Sequence, residues 1–255
     1  MTTRAAAVLL AAALLLGACG SESDESTGGS STTSTKASTT TTTIDEESTT
    51  TSSPDSGSTS TTATPGSSTT APTAPTEDTS TAVFPAPGAT TRYTDPVDVA
   101  RAFATDYVGF EDPMVSPYQA GDSRSGEVPV RPDPQGPVTT VFVRQLGDAW
   151  YVLGAATDSI VLSEPAALAT VSSPVSVAGQ STAFEATVQV QVRQDGTTEP
   201  LGEGFVMGGS MGDMGPFTGS IDIATPSASG GAVMLWTSSM ENGEVWEATV
   251  VRVRF

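Results

Sequence analysis

The chain has no histidine, one lysine and one cysteine among 255 residues. Each scarcity removes a class of chemistry. Without His there is no Ser-His triad, no Cys-His pair and no His-ligated zinc site. The single lysine, Lys36, lies in a Thr/Ser-rich stretch, so a Ser-Lys dyad has no base. No Gly-Lys-Ser/Thr loop is present to cradle nucleotide phosphates. A lone Cys forms no internal disulfide, so the folded part must stand on its hydrophobic core. "FEDP" offers Glu111 and Asp112 as the best local carboxylate pair, yet adjacent acids beside a proline read as a solvated loop. These absences predict a protein that is not an enzyme and holds no cofactor or metal.

Positive charge is scarce too. The chain carries a net -19, and from Ala89 onward 20 acids face 8 arginines, about -12. Nucleic acid and anionic lipid need Lys and Arg to neutralise phosphate, so neither is expected as a partner.

What is present begins at the N-terminus. Arg4 precedes an unbroken apolar run from Ala5 to Leu16. Twelve helical residues span about 18 Å, short of a hydrocarbon core of about 30 Å, so the run reads as a secretory leader. It ends Leu16-Gly17-Ala18-Cys19, which resembles the lipobox of bacterial lipoproteins. The resemblance implies that the Cys19 thiol receives a diacylglyceryl group, that the leader (residues 1–18) is cut just before it, and that the protein is held on the extracytoplasmic face of the cell membrane. Two or more acyl chains, at about 0.8 kcal/mol per buried CH₂, hold a protein stably where one does not. A soluble secreted protein with an incidental Cys is the alternative.

Residues 19–89 are read as the lipidated Cys and a disordered tether. No Phe, Tyr or Trp precedes Phe84, and Thr, Ser and Pro dominate, so too little apolar surface exists to offset chain entropy.

Residues 90–163 are predicted to form a small α+β domain, one helix on an antiparallel sheet. In "DPVDVARAFATDYVGF", Asp95 is a plausible N-cap with Pro96 at the first helical position. Val99, Ala100, Phe103, Tyr107 and Phe110 share a face, and Gly109 is the candidate stop. "GEVPVRP", "PVTTVFVRQ", "AWYVLGAA" and "SIVLS" follow as β-like runs, the middle pair joined by a Gly147-Asp148 turn.

Residues 166–255 are predicted to be all β. In "AFEATVQVQVR", Phe184, Ala186, Val188, Val190 and Val192 alternate with polar residues at period two. "FTGSIDI" does the same with Phe217, Gly219, Ile221 and Ile223, and Asn242-Gly243 marks a hairpin. About seven short strands suggest an immunoglobulin-like β-sandwich. Ser173-Pro174, Gly179, Phe184-Glu185-Ala186, the Gly212–Phe217 stretch and the valine-rich closing strand together resemble the immunoglobulin-like domain of bacterial spore-germination and sporulation proteins. That resemblance implies an extracytoplasmic accessory or interaction module and carries over no catalytic residue.

The closing strand, "VWEATVVRVRF", sets a phase problem. If Trp246, Ala248 and Val250 face the core, unbroken alternation also buries Arg252 and Arg254. Two unpaired buried guanidinium groups cost several kcal/mol, so a shift of phase between Val250 and Val251 is expected, with both arginines in solvent and Trp246, Val253 and Phe255 buried.

Met207, Met211 and Met214 in "MGGSMGDMG" could ligate Cu(I) through thioethers, but the surrounding glycines suggest a flexible loop, and exposed methionines a soft contact surface for a partner. Asp195-Gly196 and Asn242-Gly243-Glu244 lack the spaced oxygens of a calcium loop and read as turns. The expected whole is mainly β, a membrane-held, non-catalytic interaction or accessory module whose partner is an envelope protein or cell-wall polymer. The alternative is a small-ligand or glycan-binding lipoprotein with an apolar pocket near Phe103, Phe142 and Trp150.

Overall fold

The computed structural model describes residues 77–255. The leader, lipobox and most of the expected tether therefore lie outside the described residues. One helix, α1 (Pro96–Ala102), continues as a π-helical turn, Phe103–Val108, and the strands follow. They are β1 (Met114–Val115), β2 (Gln119–Ala120), β3 (Ser125–Arg131), β4 (Thr139–Leu146), β5 (Ala149–Ala156) and β6 (Ile160–Glu164). Then come β7 (Val175–Ala183), β8 (Thr187–Gln194), β9 (Pro200–Met207), β10 (Gly209–Ser210), β11 (Gly215–Ile221), β12 (Gly230–Ser238) and β13 (Val245–Arg254).

α1 starts where its sequence says it should. The Asp95 side chain accepts from the Val97 and Asp98 amides at 2.7 and 3.2 Å, filling two of the donors a helix start leaves open. Gly109 ends the π turn at φ 97°, a left-handed conformation that glycine adopts without strain. Val99, Ala100, Phe103 and Phe110 are buried, and Tyr107 packs beside them.

The larger sheet runs β1-β3-β4-β5-β13-β12-β8-β9, with β2 also on β3. The smaller sheet centres on β7, flanked by β6 and β11, with β10 at its end. On one face of the larger sheet, the helix packs over Val128, Val130, Val141, Val143 and Val152. Against the other face, the smaller sheet seals Val188, Val190, Val192, Leu235 and Val253. The order is helix, large sheet, small sheet, with the two apolar layers meeting at β12 and β13. The fold is mainly β, with the immunoglobulin-like sandwich at the C-terminal end.

The readings of the tether's end, of "SIVLS" and of the closing strand need correction. Residues 77–89 were expected in the tether, yet Ala82 and Val83 are buried. Val83 donates to the Val152 carbonyl at 2.8 Å and Val152 donates to Phe84 at 2.6 Å, so this strap takes the outer edge of β5 that β13 leaves open. Compositional bias hid it, because its anchoring residues are two small apolar side chains and one Phe.

Second, "SIVLS" was placed in the α+β part, but β6 pairs with β7 in the smaller sheet. The expected break at 163–166 is crossed by pairing on both sides, since β13 also joins β5 through Val250–Ala155 and Val251–Gly154.

Third, β13 keeps its phase through Val250–Val251; its irregularity lies opposite the 237/238 position of β12. Ala248 and Val250 face the helix layer, while Val251, Val253 and Phe255 face the smaller sheet. Arg252 is buried and Arg254 exposed. Trp246 and Phe255 are only half-buried. The expectation assumed an unpaired guanidinium and one wet face; β13 has a core on each face, and Arg252 has an acid.

Candidate functional site

Phe184-Glu185-Ala186, read as strand, is a short 3₁₀ turn between β7 and β8. Glu185 and Ala186 sit at φ 55° and 60°, and Met211 at φ 57°, a region that side chains with a Cβ enter at a cost. The turn lifts Phe184 out of the sandwich, leaving it 53% exposed, whereas Val188, Val190 and Val192 keep the expected inward alternation.

Three connections converge here: the Phe184 turn, the Met207–Gly215 segment and the hairpin after β12. Between them lies a cleft of about 610 Å³ lined by Phe184, Met211, Met240, Trp246, Thr237 and Glu247, among others. Met211 is 87% and Met240 70% exposed, and Met207 and Met214 also face solvent. Large apolar side chains grouped at a cleft rim are what a docking surface offers; isolated ones mean little. The methionine segment is tightly seated rather than loose. A side chain at Gly208 would strike Ser181 Oγ, and one at Gly209 the Asp213 carbonyl, so these glycines serve close approach.

Glu247 lies within this cleft's lining and is buried. Its carboxylate accepts from Thr157 Oγ1 at 2.5 Å and from Thr237 Oγ1 at 3.2 Å. Thr249 Oγ1 donates to the Ile160 carbonyl at 2.8 Å nearby. Hydroxyl donors of this kind satisfy a buried carboxylate.

The other singled-out residues are dispersed. Cys19, Leu16, Gly17 and Ala18 lie outside the described residues. Phe103 is in the core under the helix, and Trp150 packs edge-on against Tyr118 at 5.4 Å. Phe142 points to the opposite face of β4 from its buried neighbours Val141 and Val143, so these three rings line no common pocket. Glu111 meets Glu244 of the hairpin, and a hydrogen bond between the two carboxyls, then burial, raises the Glu244 pKa from its ordinary value. Asp195-Gly196 forms the turn its sequence suggests, and Asp195 also pairs with Arg252, 57 residues on, a contact that no local sequence signal announces. Sequence reasoning missed Phe184, Met240 and Trp246 as rim residues because a turn decided their exposure.

Residues 159–244, 86 residues and about a third of the chain, match the family of the immunoglobulin-like domain of bacterial spore germination. The match opens one residue before β6 and stops at the hairpin before β13. It thus holds the cleft's Phe184, Met211 and Met240. No curated protein and no solved structure matches the chain.

Proposed function

We propose that this chain is a lipid-anchored, non-catalytic interaction module on the extracytoplasmic face of the cell membrane. Cys19 carries the lipid, and the methionine-rimmed end of the sandwich docks an envelope protein or wall polymer. The observation that carries the docking half is the convergence of Phe184, Met211 and Met240, all exposed and all within the matched segment, around one cleft. Unbranched thioether side chains adapt to a partner's contour at little cost, which suits a recognition face. The Leu16-Gly17-Ala18-Cys19 sequence supports the anchoring half.

The test is a photo-crosslinking residue placed at Met211 or Met240 in intact cells, with Met114 on β1 as an exposed control. One defined adduct at the first two positions, absent at Met114 and lost when Phe184 is changed to Ser, is expected. Equal labelling at all three positions, or none at any, overturns the docking assignment.

A further inference from the structure

A second cleft, of about 620 Å³, lies between the strap, the end of the π-helical turn and the turn joining β8 to β9. Three aromatic side chains line it: Phe84, Tyr93 and Tyr107. Their rings form one cluster, with Phe84 6.0 Å from Tyr93 and 6.3 Å from Tyr107, and buried Phe103 stacked 5.3 Å from Tyr107. Three carboxylates share the lining: Asp106, Asp195 and Glu199. No lysine or arginine does. Asp195 is neutralised by Arg252, but Asp106 and Glu199 are exposed and have no ion-pair partner among the described residues.

Ionised carboxylates only accept hydrogen bonds, and aromatic faces present negative charge. Tyr107 is already flanked by the Phe103 ring and the Arg193 guanidinium, which leaves Phe84 and Tyr93 beside Asp106 and Glu199. A ligand that is a donor and a cation satisfies these rings and acids at once, whereas a neutral sugar leaves the two carboxylates without a counter-charge. The protein already uses this chemistry on itself. The Arg193 guanidinium lies 5.2 Å from the Tyr107 ring centroid and donates to the Tyr107 carbonyl at 2.6 Å. The phenols register the same surroundings: burial, then the charges of Asp106 and Asp98, raises the Tyr93 pKa.

We propose that this cleft binds a small organic ammonium ion, its charge held by Asp106 and Glu199 and its alkyl body against Phe84 and Tyr93. More than half of the cleft's lining comes from residues outside the matched domain, so it belongs to this chain's particular combination of strap, helix and sandwich. It is independent of the membrane anchor and of the methionine-rimmed end.

The probe is choline, compared with its uncharged isostere 3,3-dimethylbutan-1-ol, titrated into the full chain and followed by calorimetry and by tyrosine ring resonances. Choline should bind saturably and about tenfold tighter than the isostere, the range expected when a cation meets aromatic faces and carboxylates. Asp106→Asn and Glu199→Gln should each weaken choline several-fold, Tyr93→Leu likewise, and Glu164→Gln on β6 should change nothing. Both carboxylates are exposed, so circular dichroism should be unaltered and loss of binding is not loss of fold. Equal affinity for the two probes, no saturation by choline, or binding indifferent to all three variants overturns the proposal.

Discussion

Arg252 is a buried cation in a mainly β core. A guanidinium taken out of water loses solvation worth several kcal/mol unless its donors are met. Here they are met. Its Nη2 donates to Asp195 Oδ2 at 2.7 Å, Nη1 to Asp195 Oδ1 and, at 3.3 Å, to the Gly231 carbonyl, and Nε to the Ser80 carbonyl at 3.0 Å. Gly230 leaves room for the group, since a side chain there would meet its Nη2. The planar fork matches the carboxylate in a way that a lysine ammonium does not. Arg252→Met should therefore lower unfolding free energy by about 3–5 kcal/mol in urea melts, through the stranded acid and the lost strap contact. Adding Asp195→Leu should recover part of that loss, and a double variant no better than the single one would deny the pairing. Tyr107 supplies a pH test. Burial pushes its phenol from the ordinary 10.0 up to about 12. A raised pKa in the folded state means that the neutral phenol's contribution is complete below pH 10 and is lost as pH rises to about 12. Ultraviolet titration should show Tyr107 ionising last in the native protein, with Tyr93 also delayed, and both joining the other tyrosines in urea.

At the scale of elements, β13 shows what a strand must satisfy when both faces are covered. Its neighbours β5 and β12 lie on either side, the helix layer above and the smaller sheet below. Val253 is fully buried and Arg254 exposed. Val253→Asp should abolish cooperative unfolding, since a carboxylate there has no partner, whereas Arg254→Ser should shift stability by about 0.5 kcal/mol or less. A soluble, two-state Val253→Asp protein would show that β13 is not the seam. The contrast also explains what the sequence could reveal. Asp95, Gly109, Gly147-Asp148 and Asn242-Gly243 were legible because capping and turn chemistry act over a few residues. So was the alternation of Val188, Val190 and Val192. Burial of Arg252 was not, because its acid is 57 residues distant and its third partner, Ser80, lies in a segment that composition marks as tether. The methionine-rimmed cleft was half legible: its methionines stood out, but Phe184 read as core until the left-handed pair after it turned it outward.

At the scale of the whole molecule, the strap decides where the upstream chain enters the fold. Ala82, Val83 and Phe84 close the edge of β5, and the Ser80 carbonyl takes Arg252 Nε. The lipid attachment proposed upstream would thus meet the fold at a point tied to its buried ion pair. With a net charge of -19, the chain gains nothing from an anionic lipid surface, so charge alone gives it no reason to stay at a membrane. Among the described residues no helix is long and apolar enough to cross one. The membrane association proposed above would rest on acylation of Cys19, since acyl chains contribute about 0.8 kcal/mol per buried CH₂ and bind stably only when two or more are present. In cell fractionation the native protein should sediment with membranes and resist high salt, which strips charge-held proteins but not acyl chains. Mass spectrometry should find the mature chain starting at Cys19 and carrying lipid. Cys19→Ala should leave the protein unlipidated, either uncut with its leader attached or released. A Cys19→Ala protein that has lost its leader and still sediments with membranes in high salt would place the anchor elsewhere in the molecule.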